Sequence, residues 1–330
     1  MPTTALITGA TGFIGSWLAE ALLAKRFKVK ALIRSVSSKE NLMGTSMEFV
    51  KADYDDLSSL EAAVEDAHYI FHVAGVTKAL SAAEYHKGNV IATENLLKAA
   101  KNSGKNLKKF IHISSGAAAG PSSSAERPID ETAECFPVTL YGKSKRDAEI
   151  ACIKMMKELP ITVLRPSIIY GPRDKDLLEH FKTVKAGFVP IFGVGVEKKY
   201  DYLYVEDLIE GIVAAAESSK TSGEIYFLSG DAHSWREVGE TAKKVLGKSF
   251  TISLPLPDVV SYGVAAVVED FNRWQGKISI LNRDRARDGA QRFWTFSTVK
   301  AKRDFGFIPK TSLEKGFIKT VNWYKEKGWL

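Results

Sequence analysis

Short apolar runs rich in β-branched residues alternate along the chain with longer stretches whose apolar positions recur every three to four residues. Strand-type runs fall at 4–8, 29–34, 47–50, 69–74, 110–115 and 161–165, with amphipathic stretches at 16–26, 56–66, 82–103 and 141–158 between them. Strands that are apolar on both faces and separated by helices predict a parallel sheet covered on both sides, a doubly wound α/β fold. Ligands of such sheets lie at the carboxyl ends of the strands, where the strand order reverses. After Arg165-Pro166 the loops lengthen and aromatic and Pro/Gly punctuation increases, as in Tyr170-Gly171-Pro172 and Gly193-Val194-Gly195. Two parts are therefore expected: residues 1–166, with segments returning to the sheet near 201–228, and residues 167–330, mainly a smaller C-terminal substrate lobe. Leu313, Phe317, Val321 and Tyr324 share one face of a closing helix, Asp55-Asp56 reads as a helix N-cap, and 120–124 reads as a mobile loop. The longest apolar stretch, 259–268, is too short to span a bilayer. It reads as a core helix, with a helix lying on a membrane surface as the alternative.

A hydrophobic share of 45% over 330 residues supports one large core or two modest ones and excludes a disordered chain. The formal charge of +7 is scattered, at Lys25, Lys39, Lys87, Lys198 and Lys302 among others, with carboxylates between. No basic arm or basic-aromatic stripe emerges, so nucleic acid is not an expected partner and the excess reads as solvated surface with some attraction for anions. Cys135 and Cys152 cannot supply a disulfide framework and have no metal-ligand spacing. The six histidines show no metal pattern either; His72 and His112 lie in strands and read as satisfied core residues. No metal is expected. The first strand begins at about residue 3, which leaves no room for a leader, and no transmembrane segment is evident; a cytoplasmic location is expected, with peripheral membrane contact as the alternative.

The candidate chemistry begins at the end of the first strand. Gly9-Ala10-Thr11-Gly12-Phe13-Ile14-Gly15 runs into a helix expected from about Ser16. Gly9 permits the sharp turn, Gly12 lets backbone amides approach a pyrophosphate, and Gly15 lets helix and strand pack closely. The helix N-terminus adds unpaired N–H groups and dipole, so a dinucleotide is the expected ligand. Tyr141 and Lys145, four apart at the start of a helix, emerge on one face, where an ammonium draws a phenol toward the working pH range. Ser114-Ser115 at the end of the fifth strand could orient a substrate oxygen near that phenol. The second strand ends at Arg34-Ser35. An acid there would accept from an adenosine ribose 2′-hydroxyl, whereas arginine offers a donor fork to a 2′-phosphate, with Ser35 or Ser37 adding a hydroxyl. NADP is thus favoured, with NAD the alternative. Arg283, Arg285 and Arg287 read equally as a diphosphate grip or a solvated helix face.

Jointly these features resemble the extended short-chain dehydrogenase/reductase superfamily, of the NAD-dependent epimerase/dehydratase type. Supporting segments are Lys51-Ala52-Asp53, Val73-Ala74-Gly75, Asn89-Val90-Ile91-Ala92-Thr93-Glu94-Asn95, Leu164-Arg165-Pro166 and Tyr202-Leu203-Tyr204-Val205-Glu206-Asp207-Leu208. The resemblance implies a Rossmann domain and a hydride-transfer site. Tyr141 would be the general acid/base, Lys145 would bind the nicotinamide ribose and lower the tyrosine pKa, and Ser115, favoured over Ser114 by the family spacing, would hold the reacting oxygen. Asp53 would contact the adenine edge, and Tyr54, Gly9, Thr11, Gly12, Phe13, Ile14, Gly15 and Arg34 belong to the same cofactor set. Ala74 and Gly75 would line the cofactor, and Pro166 with Ile168 would close over its amide. The expected activity is NADP(H)-dependent interconversion of a small-molecule ketone and secondary alcohol. Tyr262, Phe271, Trp274 and Trp294 look similar to the apolar lobes of the dihydroflavonol-reductase and 3β-hydroxysteroid-dehydrogenase branches. The alternatives are a nucleotide-sugar epimerase or dehydratase with bound NAD, gripping a diphosphate through Arg173 or the 283–287 arginines, and a non-catalytic NADP-sensing regulator. A helix-paired homodimer is also implied.

Overall fold

The computed structural model describes residues 3–34, 40–42, 44–193, 195–275, 279 and 282–330. The first half runs β1 (Thr4–Thr8), α1 (Phe13–Ala24), β2 (Lys28–Ile33), β3 (Glu48–Lys51), α2 (Leu57–Val64), β4 (Tyr69–His72), α3 (Ala82–Tyr85), α4 (Ala92–Ser103), β5 (Lys109–Ile113), α5 (Leu140–Met155) and β6 (Ile161–Pro166). The second half adds β7 (Ile168–Tyr170), α6 (Asp176–Lys185), β8 (Phe188–Phe192), β9 (Lys199–Tyr204), α7 (Val205–Glu217), β10 (Glu224–Leu228), β11 (Asp231–His233) and α8 (Trp235–Val245). It closes with β12 (Ile252–Leu256), α9 (Asp258–Trp274), α10 (Arg283–Ala290), β13 (Phe293–Trp294), α11 (Val299–Phe305) and α12 (Leu313–Glu326).

Seven parallel strands form the main sheet in the order β10-β6-β5-β4-β1-β2-β3. The two-residue period of each strand divides its side chains between two cores. Ile7 and Ile111 pack with Leu18, Leu22, Leu208 and Ile212 of α1 and α7. Leu6 and Phe110 pack on the other face with Leu60, Leu97 and Cys152 of α2, α4 and α5. The chain proceeds from β1 outward to β3 and then crosses back to β4, so the order reverses between β1 and β4. The glycine loop leaves the sheet at that switch point, where a crevice opens beyond the strand ends.

Several boundaries differ from expectation. Helix α1 begins at Phe13 and not near Ser16, because Gly12 itself is the extended N-cap and no side chain caps the helix. The stretch 82–103 is interrupted by one turn of wider winding at His86–Ile91, which turns Asn89 inward. Of the segments near 201–228, Glu224–Leu228 joins the main sheet as β10, whereas 201–204 lies in β9, which forms a second sheet with β7, β11 and β13. Residues 120–124 are bound to β13, Ser122 N–H donating to Phe293 O at 2.9 Å, with the Ser122 and Thr295 hydroxyls 2.8 Å apart. Asp56 caps α2 by accepting from Ser58 N–H and Ser59 N–H, and Leu313, Phe317, Val321 and Tyr324 are all buried along α12.

The core-helix reading of 259–268 is overturned. Within α9 only Ala265 is buried, and Val259, Val260, Tyr262, Val264, Val267, Phe271 and Trp274 are exposed. The helix packs chiefly on α10, with Asp258 paired to Lys198 and Arg273 donating to Leu80 O. Of the aromatic residues assigned to an apolar lobe, Trp294 alone is buried. No described helix is long and apolar enough to cross a membrane.

Candidate active site

Strand β1 ends in a turn that only glycine tolerates. Gly9 has φ +69°, and a Cβ there would stand 2.7 Å from Ala74 N; Ala74 N–H also donates to the Thr8 hydroxyl at 3.1 Å, binding the ends of β1 and β4 together. A Cβ at Gly15 would stand 2.1 Å from Gly9 O, so α1 approaches the turn more closely than any side chain permits. The first-turn N–H groups at Phe13, Ile14 and Gly15 therefore open onto the crevice with the helix dipole behind them, an anion cradle formed by backbone. Thr11 lies in this loop and its carbonyl accepts from Asn41 Nδ2 at 3.1 Å. Gly15→Ala is expected to cost about 1–3 kcal/mol by overpacking and to weaken dinucleotide binding in step. Thermal unfolding and a fluorescence titration with NADPH check this, and wild-type values in both would contradict it.

Arg34 follows β2 directly and is exposed, while Ser35 and Ser37 lie outside the described residues. Tyr54 is at the same rim: burial pushes its phenol up to about 12, with the Thr8 hydroxyl and Arg34 near enough to pull the other way. Asp53 is exposed at the loop after β3, where its carboxylate accepts from Asp55 N–H at 3.0 Å. Gly75 follows the end of β4, where a Cβ would stand 3.2 Å from Asn89 Oδ1 and 3.7 Å from Lys145 Nζ. Pro166 ends β6, and Ile168, 41% exposed, opens β7 beside it. These groups lie around the strand ends β1, β2, β4 and β6.

The Tyr141 and Lys145 side chains stand at the first turns of α5. Thr139 caps that helix by accepting from Gly142 N–H at 3.0 Å. A Cβ at Gly142 would stand 2.4 Å from Ala117 O, so the helix start is pressed against the short turn that follows Ser115. The consequence is proximity: Ser115 stands near enough to the Tyr141 phenol for its hydroxyl to act on it, while its Oγ accepts from Ala117 N–H at 3.2 Å. Ser114 faces elsewhere, its hydroxyl donating to Glu149 Oε1 at 2.6 Å, which separates the two candidate serines. Burial pushes the Tyr141 phenol above its ordinary range, with Ser115 and then Arg285 pulling it down and Asp288 pushing it up. Lys145 is buried and donates to Ile113 O at 2.7 Å. Burial lowers its ammonium to about 8, opposed by the negative charge of Glu149.

Several participants carried no signal in the sequence. The Asp284 carboxylate, from α10, accepts from Leu140 N–H at 2.8 Å and Tyr141 N–H at 3.1 Å, and so holds the later half of the chain on the catalytic turn. Asp288 is raised by burial to about 7, with Arg285 opposing, and its Oδ1 is buried with no partner among the described residues. Behind the site Glu149, fully buried, binds Arg165 Nε at 2.8 Å and an Arg165 terminal nitrogen at 2.7 Å. Asn89 bridges Ser144 Oγ at 2.8 Å and Val76 N–H at 2.7 Å. His72 is satisfied by Thr8 and Thr93 hydroxyls at 2.8 and 2.9 Å. His112 is not: both ring nitrogens are buried without a partner among the described residues, and burial beside Lys145 holds the ring well below the ordinary histidine range. Three of the arginines proposed to grip a diphosphate are engaged elsewhere, while Arg287 lines a cavity beside α9. Arg173 pairs with Glu20 at 2.6 Å and packs on Trp17, Arg283 pairs with Asp270 at 2.6 Å, and Arg285 pairs with Asp176 at 2.6 Å.

Comparison with known proteins bears on this arrangement. The NAD dependent epimerase/dehydratase family matches residues 5–228. A ceramide reductase of Caulobacter vibrioides is 28% identical over 98% of this chain and 95% of its own. A UDP-glucose 4-epimerase of Vibrio cholerae is 27% identical over 97% of this chain and 95% of its own. The crystal structure of a UDP-glucuronic acid 4-epimerase from Bacillus cereus, in complex with UDP-glucuronic acid and NAD, superposes with a TM-score of 0.79 at 25% identity, covering 98% of this chain and 100% of that one.

Proposed function

The chain belongs to the NAD dependent epimerase/dehydratase family, within the extended short-chain dehydrogenase/reductase superfamily, and from that premise we propose that it is an NADP(H)-dependent reductase of an apolar ketone. Family membership makes it an enzyme and sets aside the regulator alternative. The observation that carries the proposal is the placement of Ser115 beside Tyr141, close enough for its hydroxyl to draw the phenol down, one helical turn from a buried ammonium at Lys145, at the reversal point of the sheet. The residues fit a dinucleotide: Gly9 and Gly15 hold the loop in a close backbone turn that no Cβ would allow, and the first turn of α1 has no side-chain cap. Phe13, Ile14 and Gly15 would hold its pyrophosphate, Asp53 and Tyr54 its adenine end, Ala74, Gly75, Pro166 and Ile168 its nicotinamide end, and Lys145 its ribose. When bound, that cofactor supplies the hydride that reduces the carbonyl carbon. Tyr141 gives its phenolic proton to the carbonyl oxygen while Ser115 donates a hydrogen bond to the same atom, and the phenolate regains a proton from solvent. Microscopic reversibility gives alcohol oxidation through the same groups.

The ceramide reductase relative supports a ketone on an apolar framework, and the engagement of Arg173, Arg283 and Arg285 in ion pairs leaves Arg287 as the cation of that set outside an ion pair among the described residues to meet a sugar diphosphate. An epimerase reading, favoured by the likeness to UDP-sugar enzymes, uses the same three groups. A panel of long-chain ketones, sterol-like alcohols and nucleotide sugars, run with each cofactor, separates them. Net oxidation of NADPH by the ketones is the expected result, and turnover of nucleotide sugars alone would overturn it. For cofactor choice, Arg34→Asp replaces a donor fork with a charge that repels a 2′-phosphate, and the NADPH-over-NADH preference in kcat/KM should fall by about 10–100-fold. Unchanged selectivity would assign the 2′ position to another group.

A further inference from the structure

The outward face of α9 is the largest unpartnered apolar feature of the described surface. Val260, Val264, Val267, Phe271 and Trp274 are spaced four, three, four and three residues apart, which places them on one stripe of a helix about 25 Å long. Trp274 is 83% exposed and Val267 70%. The chain leading into α9 continues the surface, with Phe250, Ile252 and Leu254 exposed and Lys248 just before them. The stripe contains no charged residue. The helix's carboxylates are neutralised: Asp258 pairs with Lys198 at 2.6 Å, Glu269 with Arg273 and Arg283, and Asp270 with Arg283.

We propose that this face docks α9 flat on the surface of a phospholipid bilayer, with the stripe at the boundary between headgroups and acyl chains. Two observations select this occupant. A helix stripe of branched apolar residues ending in the exposed indole of Trp274 has the composition of an interfacial helix: an apolar body with an amphipathic ring at headgroup level. A chain of net charge +7, whose carboxylates on this helix are all paired, meets an anionic headgroup layer without repulsion.

The placement has a consequence for the site. Residues of the helix's inner side, Glu269 and Arg273, line a cavity of about 340 Å³ together with Tyr85, Leu140, Asp284 and Arg287. Leu140 adjoins Tyr141, and the Tyr85 ring lies 6.3 Å from the Tyr141 ring. A docked α9 therefore holds the approach to Tyr141 against the membrane, where an amphiphile can pass from the bilayer without crossing water.

The test uses the full chain with vesicles of palmitoyl-oleoyl phosphatidylcholine and phosphatidylglycerol in equal parts. Wild type should co-sediment with them, and bromination of the acyl chains should quench tryptophan fluorescence; Trp274→Phe should remove that quenching while the protein still sediments. The double variant Val264→Glu with Val267→Glu should lower the partition coefficient at least tenfold, with wild-type thermal unfolding and wild-type turnover of a water-soluble ketone. Vesicle binding by the folded double variant at the wild-type level would overturn the proposal. So would a wild type that ignores vesicles but sediments as an oligomer that the double variant dissolves, since a second copy would then cover the stripe. The vesicle readouts need no catalysis, so they stand or fall separately from the reductase reading.

Discussion

Tyr141→Phe is expected to lower turnover by about 10²–10⁴-fold, the span lost with a positioned proton donor, while NADPH affinity and thermal unfolding stay close to wild type. The one group with a catalytic assignment that acts on the phenol is Ser115. The ring itself, packed against Tyr85, is retained by phenylalanine, and the α5 N-terminus is held by Thr139 and Asp284 independently of the hydroxyl. The substitution thus removes one donor oxygen and little else. Single-turnover kinetics with saturating cofactor checks it, and turnover within a few-fold of wild type would place the proton donor elsewhere.

Lys145→Met is the second large effect, about 10²–10³-fold in kcat/KM by comparison with loss of a single preorganised donor. Its stability change should be small, because two terms oppose. Methionine avoids burying an ammonium that burial has already lowered to about 8, and it strands the Ile113 carbonyl, which accepts from Lys145 at 2.7 Å. The pH profile supplies a second readout. The ammonium is fully present below about 8 and is lost as pH rises through that value, so wild-type reduction should decline on this limb. His72 and His112 on β4 and β5, Glu149 and Cys152 along α5 and Tyr141 are the titratable groups around it. The histidines are lowered well out of this range and Cys152 is raised above it; Asp288, raised to about 7, acts on Tyr141 from α10, and the Lys145→Met variant separates its titration from that of Lys145. A Lys145→Met enzyme that keeps the same alkaline decline would contradict the assignment.

The parts of the molecule legible in the sequence are those written in local spacing. Glycines three apart after an apolar strand mark a turn that the backbone contacts at Gly9 and Gly15 require, and residues four apart at 141 and 145 face together wherever a helix forms. Asp56 announces α2 for the same reason, since capping is decided within three residues. What stayed hidden depends on contacts across the chain. Asp284 reaches Tyr141 N–H over 143 residues, and Ser114 is drawn from the site by Glu149, 35 residues on. Neither partner can be inferred from a neighbour's identity. Helix α9 misled in the opposite sense: its composition reads as core, yet among its described residues only Ala265 is buried, so burial was decided by topology and not by hydropathy. His112 likewise sits in a strand as expected, but its ring nitrogens find no partner among the described residues.

The central claim is net carbonyl reduction through Tyr141, and label transfer tests it most directly. The enzyme is incubated with NADPH carrying deuterium at the transferable position and with the ketone that turns over fastest, and product and cofactor are weighed by mass spectrometry. The account predicts one deuterium at the carbinol carbon of each alcohol formed, with an equal amount of cofactor oxidised, in wild type and at a rate lower by about 10²–10⁴-fold in Tyr141→Phe. Substrate conversion with no net oxidation of cofactor, or equal labelling rates in the two proteins, would contradict it.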